Sequence, residues 1–142
     1  MSGFLLDTNV ISEFSRKGGP DLRVKRWLEA AESESLFTSI VTFGEIRFGI
    51  ELLQPGKRRT QLERWLESDL PEWFEGRILP IDQSTLDQWA RFRAQAYRKG
   101  NPLPVVDALL AATAHQHDMA LVTRDTGGFP DLGLTLVNPW QD

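Results

Sequence analysis

Four acidic side chains stand in sequence contexts that predict burial. Asp7 and Asp125 each follow a short apolar run typical of a core strand, whereas Glu45 and Asp107 lie in apolar segments with helical spacing. Removing a carboxylate from water costs several kcal/mol unless the group is paired or binds a cation. These residues are therefore the first candidates for chemistry, and their ordinary structural roles have to be weighed against it.

The two acids at strand ends have a simple structural explanation. Aspartate is favoured at helix N-caps and in turns. Asp7 is followed by Thr8 and Asn9, and Asp125 by Thr126 and two glycines, so each acid taken alone is interpreted as a turn residue. A chemical role for either one requires that other acids join it.

Asp107 lies near the start of a helix that is apolar on nearly every side. Its neighbours at helical spacing are Leu110, Ala111 and Ala114, which predicts a buried environment. An acid in the first helical turn gains only about 0.3–1 kcal/mol from the helix dipole, which is less than burial costs. We therefore favour a chemical role for Asp107 over a purely structural one.

Glu45 is placed in the middle of a helix, where capping does not explain it. The residues one and two turns away are apolar and predict that Glu45 projects from the core-facing side: Val41, Phe48 and Leu52. The alternative is an ion pair with Arg47 or Arg16, because buried acids are usually paired or metal-bound.

Carboxylates that meet in one place repel one another unless cations lie between them. Mg²⁺ and Mn²⁺ prefer carboxylate oxygens and water, and such ions generate hydroxide, polarise a phosphate and stabilise a leaving oxygen. The chain has no Cys and only two His, which disfavours thiolate and multi-imidazole zinc sites. We expect a catalytic metal site whose ligands are Asp7, Glu45, Asp107 and Asp125. Neighbouring polar residues are expected to support these acids or to bind substrate: Thr8, Asn9, Ser39 and Thr123 in support, and Arg124 on substrate.

Short apolar strands alternate with helices along the chain, which predicts an α/β sandwich with a mostly parallel sheet. The ligand site of such a sheet lies beyond the carboxyl ends of its strands, where Asp7 stands. The predicted strands cover residues 4–6, 35–39, 77–81, 120–123 and 134–137, with Pro80 marking an edge strand. The predicted helices cover residues 20–31, 40–53, 57–70, 82–100 and 105–117.

Length and composition indicate one domain, residues 1–142, with an ordinary globular balance of 41% hydrophobic and 25% charged residues. No apolar run is long enough for a membrane helix, and the N-terminus does not resemble a signal peptide, so we expect a cytoplasmic protein without membrane contact. The net charge of −4 disfavours a nucleic-acid coat protein but not a nuclease that binds cations. Local basic clusters, such as Lys57-Arg58-Arg59, are interpreted as solvated helix faces.

Four segments resemble the PIN-domain nucleases, specifically the VapC-type toxins of bacterial toxin–antitoxin pairs: "LLDTNVIS", "TSIVTFGEIRFGI", "PLPVVDALLAATAHQHDMALVTRD" and "LVNPW". The resemblance implies a three-layer α/β/α sandwich with a five-stranded parallel sheet and a Mg²⁺ or Mn²⁺ pocket. It assigns Asp7, Glu45 and Asp107 as core acids and Asp125 as the fourth. It also implies RNA cleavage, a homodimer and a cognate antitoxin that blocks the pocket. This chain departs from many members at Gly128, where they carry an acid before the Phe that follows.

Three other kinds of protein have to be compared with this interpretation. A haloacid-dehalogenase-like phosphatase pairs two acids two residues apart, but the second position here is Asn9. A receiver-like phosphoacceptor needs a late Lys, and no Lys follows Lys99. A PIN-like module that binds RNA or a partner without cutting remains the alternative to an enzyme. The dimer expectation also has a sequence argument, since Trp89 and Phe92 lie on a helix whose apolar stripe exceeds what one core needs.

Overall fold

The computed structural model describes residues 3–141, in which five strands form one sheet with every neighbouring pair parallel. The strands are β1 (Phe4–Leu6), β2 (Leu36–Ser39), β3 (Ile78–Leu79), β4 (Ala120–Val122) and β5 (Leu136–Val137). Their spatial order is β3-β2-β1-β4-β5, so the strand that leads into Asp7 is central. The predicted parallel sheet is confirmed, and β3 is an edge strand as Pro80 suggests.

Helices connect the strands and cover both faces of the sheet. They are α1 (Thr8–Ser12), α2 (Leu22–Ala30), α3 (Ile40–Glu51), α4 (Lys57–Arg64), α5 (Leu70–Trp73), α6 (Gln83–Arg98) and α7 (Val105–Gln116). Short 3-10 turns cover Glu13–Ser15, Ser33–Ser35 and Thr126–Gly128. No helix of residues 3–141 is long and apolar enough to cross a membrane.

Alternation along the central strands divides the core into two apolar layers. Leu5 and Leu121 pack on one face of the sheet with the buried residues of α6 and α7. Leu6 and Val122, the next residue of each strand, pack on the other face with residues of α1 to α5. Because side chains alternate with a period of two, each short strand contributes to both layers. The result is the predicted three-layer α/β/α sandwich.

The prediction of one helix over residues 57–70 is wrong in detail. The chain forms α4, then a π-helical turn over Trp65–Asp69, and then continues as α5 through Pro71 to Trp73. The residue before the proline, Leu70, still donates its N–H to the Trp65 carbonyl in the π-helical turn, and the helical backbone continues through Pro71. The proline therefore does not end the helical stretch, as its position in the sequence had suggested.

The α6 stripe that was expected to exceed one core is largely used within the chain. Phe92 is buried against α7, and Trp89 packs on the same core while its indole Nε1 donates to the Val105 carbonyl at 3.1 Å. These two residues are therefore not the support for a homodimer that their sequence spacing suggested.

Candidate active site

Asp7 lies at the carboxyl end of the central strand and is 7% exposed. Its backbone N–H donates to the Val122 carbonyl at 2.9 Å, which continues the pairing of β1 with β4 past the last strand residue. Its carboxylate accepts the Thr8 N–H at 2.6 Å, so Asp7 is also the N-cap of α1. The capping role and the buried acid predicted from sequence occur in the same residue.

The second carboxylate oxygen of Asp7 is held by a buried hydroxyl. Thr123 Oγ1 donates to Asp7 Oδ2 at 2.7 Å, and Thr123 itself has no exposed surface. The same hydroxyl accepts the Asp125 N–H at 3.2 Å and the Asn9 side-chain amide at 3.4 Å. Thr123 therefore links the ends of β1 and β4.

Glu45 is connected to the same region through α1. Thr8 Oγ1 donates to Glu45 Oε1 at 2.5 Å and also lies 3.1 Å from the hydroxyl of Thr42, which is fully buried. The alternative ion pairs for Glu45 are absent, because Arg47 binds Glu63 and Glu67, and Arg16 binds Glu13. Among residues 3–141, the partner of Glu45 is thus a hydroxyl and not a cation.

Electrostatics shows how the acids affect one another. Burial raises the pKa of Asp7 to about 6, with the charges of Asp107 and Glu45 adding to the shift and the bonds from Thr123 and Thr8 opposing it. Burial also raises the pKa of Asp107, and the charges of Asp125 and Glu45 add to that shift. Each of these two carboxyls therefore has two other candidate acids within electrostatic range.

Asp125 stands on the loop that follows β4, immediately before the 3-10 turn Thr126–Gly128. A Cβ built on Gly128 would lie 3.3 Å from Asp125 Oδ2, so the Asp125 carboxylate lies against this glycine. A side chain at position 128 would have to share that space with the carboxylate of Asp125. The glycine at position 128, where many family members carry an acid, thus leaves room for the Asp125 carboxylate in its present position.

Some side chains near the site have surroundings that the sequence did not specify. Ser39 is fully buried, and its hydroxyl accepts the Val41 N–H at 3.0 Å and caps α3, so its supporting role at the site stays a prediction. Phe48 and Leu52 were expected to enter the core and are instead 65% and 70% exposed. The buried face of α3 carries Thr42 and Ile50, because a helix apolar on two sides does not specify which side faces inward.

The exposed ring of Phe48 on α3 borders a groove beside Glu45. The groove has a volume of about 480 Å³ and is lined by Val41, Gly44, Glu45, Phe48 and Val106. An apolar groove of this kind is a typical contact surface for another molecule. One wall of the groove therefore belongs to the candidate active site, and the remaining walls are apolar.

The donor set fits a hard divalent cation in chemical type, since it consists of carboxylates held by threonine hydroxyls. Asp7 is the buried member whose charge has no cationic partner among residues 3–141. Within that described part of the chain, no three acidic or imidazole groups lie close enough to form a complete metal cage. The four-acid ligand set expected from the sequence is therefore not assembled among these residues, and the metal site stays a prediction.

Residues that the sequence reasoning did not single out also contribute. Thr42 supports Thr8, and the C-terminal residues Asn138 and Trp140 contact Arg124 on the loop after β4. The segment "LVNPW" carried part of the family resemblance, and this was the sequence signal that could have indicated a role for Asn138 and Trp140. Their contacts depend on the pairing of β4 with β5, which the sequence does not specify residue by residue.

A family model described as "PIN domain" matches residues 4–133, and the chain therefore belongs to the PIN-domain family. Toxin FitB of Neisseria gonorrhoeae is 41% identical over 138 residues, which cover 97% of this chain and 99% of that protein. VapC ribonuclease Y4jK of Sinorhizobium fredii is 40% identical over 137 residues, covering 96% and 97% of the two chains. The similarity to these proteins thus spans nearly the whole chain.

Solved structures agree with this assignment. A chain of FitAcB from Neisseria gonorrhoeae superposes with a TM-score of 0.90 at 40% identity, covering 98% of this chain and 99% of the other. A chain of FitAB bound to an IR36 DNA fragment gives a TM-score of 0.88 at 40% identity, covering 96% and 95%. The predicted fold class is confirmed by these superpositions.

Proposed function

We propose that this protein is a metal-dependent endoribonuclease and the toxin of a type II toxin–antitoxin pair. The supporting observation is Asp7, a buried acid at the end of the central strand whose pKa is raised by burial and by two further acids, in a chain of the PIN family. Buried carboxyls with perturbed pKa values mark functional sites. Relatives named toxin and ribonuclease support the same activity.

Asp7, Glu45, Asp107 and Asp125 are the proposed ligands of Mg²⁺ or Mn²⁺. When bound, the ion lowers the pKa of water and offsets the charge of the phosphodiester. Thr123 fixes the orientation of Asp7 through its 2.7 Å bond, and Thr8 does the same for Glu45 at 2.5 Å. Asn9 ties Thr123 to the start of α1 at 3.4 Å. These bonds keep the carboxylates in place before substrate arrives, which reduces the reorganisation required for reaction.

Partner binding belongs to the same proposal. Structures related at 40% identity are of pairs named FitAB and FitAcB, so we expect this chain to bind an antitoxin and to form a homodimer. The apolar groove between Phe48 and Val106 is the proposed antitoxin surface, since Glu45 lines it as well. An RNA-cutting toxin acts where RNA is present, which favours the cytoplasm.

A cleavage assay tests the activity. Purified protein is incubated with total RNA in Mg²⁺, in Mn²⁺ and in EDTA, and new RNA ends are mapped. Cleavage is expected only with a divalent ion and is expected to disappear in Asp107→Asn. Asp21→Asn is the matched control, because Asp21 pairs with exposed Arg23 on α2. If the protein binds RNA but does not cut it with either metal ion, the non-catalytic binding module is favoured instead.

A further inference from the structure

Arg124 is an exposed cation at the carboxyl end of β4, between Thr123 and Asp125. Its guanidinium carbon lies 5.2 Å from the ring centre of Trp140, which is within the range of a cation–π contact. Within residues 3–141 it forms no ion pair. The positive charge of Arg124 is therefore not neutralised by an acid of the site.

The ring that carries Arg124 is itself fixed. Trp140 is only 4% exposed and Asn138 only 8%, although both lie within five residues of the C-terminus. Asn138 Oδ1 accepts the Trp140 N–H at 2.9 Å, and Asn138 Nδ2 donates to the Arg124 carbonyl at 3.0 Å. The same side-chain amide thus binds the Trp140 backbone and the Arg124 backbone.

A second set of bonds connects this segment to the candidate active site. The Arg124 N–H donates to Asn9 Oδ1 at 3.4 Å, and the Thr123 N–H donates to the Val137 carbonyl at 2.9 Å. The Arg124 backbone is therefore fixed on one side by α1 and on the other by the C-terminal segment. A guanidinium whose backbone and face are both restrained loses little freedom when it binds a ligand.

We propose that residues 138–140 are a positioning element for substrate, in which Trp140 and Asn138 hold Arg124 as the phosphate-binding cation beside the acids. This inference rests on the proposed function, because it takes RNA as the ligand. A net charge of −4 and a carboxylate-rich site repel RNA, so a restrained arginine with no ion pair among residues 3–141 supplies the attraction that the acids do not. Guanidinium binds phosphate oxygens in a fork, which a mobile point charge does not reproduce.

The experiment measures binding of a fluorescein-labelled single-stranded RNA pool by anisotropy, in low-salt buffer with EDTA so that no cleavage occurs. Arg124→Ala is expected to weaken binding about tenfold and to lower the salt slope by about 0.7, the value for one phosphate contact on a single strand. Arg124→Lys keeps the charge but loses the planar stack, and a loss of about threefold is expected. Arg98→Ala, which removes the same charge from an exposed position on α6, is the control and should leave affinity unchanged.

Trp140 is tested by a double-mutant cycle. Trp140→Leu is expected to weaken RNA binding about threefold when Arg124 is present and not at all in Arg124→Ala, whereas Trp140→Phe retains most of the affinity. Equal losses in both backgrounds, or unchanged binding in both Arg124 variants, would overturn the proposal. If Trp140→Leu does not fold, Trp140→Phe replaces it in the same cycle, because it leaves a smaller cavity; a smaller loss of affinity that occurs only when Arg124 is present is then expected, and an equal effect in both backgrounds overturns the proposal. If the wild type cuts RNA and Arg124→Ala binds RNA with unchanged affinity, this inference alone is refuted. If the wild type neither binds nor cuts RNA, the proposed function is refuted as well.

Discussion

Asp7 performs two structural tasks at one position, and they have opposite effects on its charge. As the N-cap of α1 it accepts the Thr8 N–H, which favours the ionised carboxylate. As a buried group near Asp107 and Glu45 it is disfavoured as an anion, and this second effect is larger because its pKa is raised to about 6. At neutral pH the metal-free protein therefore holds a charge that weakens its own fold.

Asp7→Asn is expected to stop RNA cleavage and to stabilise the metal-free protein. The folded pKa of about 6 exceeds the ordinary 3.8, so folding is penalised as pH rises from about 4 to 6, and removing the charge relieves roughly 2–3 kcal/mol at pH 7. Urea unfolding in EDTA at pH 7 and at pH 4 measures the effect, and the gain should vanish at pH 4.

Asp21→Asn is the matched control with the opposite sign. Arg23 and the α2 N-terminus lower the pKa of Asp21 to about 2, so its contribution to stability is present above about pH 4 and is lost as pH falls toward 2. The Asn variant should be less stable than wild type at pH 7 and retain RNA cleavage. A gain in stability in both variants would show that the gain in Asp7→Asn does not come from the buried charge of Asp7.

Thr123→Val is expected to reduce cleavage about tenfold and to move the acid limb of its pH profile to higher pH. The buried hydroxyl donates to Asp7 and lowers the pKa of that carboxyl, so its loss raises the pH at which Asp7 ionises. Thr113→Val is the control, because Thr113 is equally buried but bonds only its own helix at Leu109. Identical pH profiles for the wild type and Thr123→Val would refute the assignment.

At the scale of elements, the sequence predicted which segments form strands and helices better than it predicted which face of a helix is buried. The strand ends that carry Asp7 and Asp125 follow from short apolar runs, and the wrapping of α7 in apolar residues correctly places that helix in the core. The buried face of α3 could not be predicted, because its apolar residues occupy two faces. Only tertiary packing decides that Ile50 is buried and Phe48 is exposed. The bonds from Thr8 to Glu45 and from Asn138 to Arg124 join distant segments, so no local pattern reveals them.

Phe48→Ser is expected to abolish antitoxin binding while changing the free energy of unfolding by less than about 0.5 kcal/mol. Phe48 is 65% exposed and lines the apolar groove beside Glu45, so its ring is available to a partner and contributes little to the core. Leu22→Ser on α2, at 63% exposure, is the matched control and should keep partner binding. Co-purification with the co-expressed cognate antitoxin provides the measurement, with wild type as reference. Equal binding by both variants would move the antitoxin to another surface.

At the scale of the whole molecule, the acids and the apolar groove together predict the chemical character of a protein inhibitor. A partner that fills the apolar groove reaches Glu45 at its wall, and carboxylates attract a guanidinium that forks onto them. We expect the antitoxin to place a basic residue, an arginine, among the acids while its apolar part occupies the groove.

A basic C-terminal antitoxin peptide is expected to bind wild type at least tenfold more tightly than the Asp7→Asn, Asp107→Asn double variant. Both changes remove negative charge from the pocket that would receive the arginine. Calorimetric titration of the two proteins measures the difference, and a peptide with the arginine replaced by glutamine separates charge from shape. Unchanged affinity in the double variant would mean that the inhibitor binds elsewhere.

The central position of β1 determines which part of the site can move. The Asp7 N–H is bonded to Val122 between two neighbouring strands, so its amide hydrogen should exchange with solvent only when the whole domain opens. Asp125 is exposed on the loop after β4 and its N–H bonds only a side-chain hydroxyl, that of Thr123, so this amide hydrogen should exchange many times faster. We therefore expect substrates of varied shape to be accommodated from the side of residues 125–128, while Asp7 and the restrained Arg124 keep their positions.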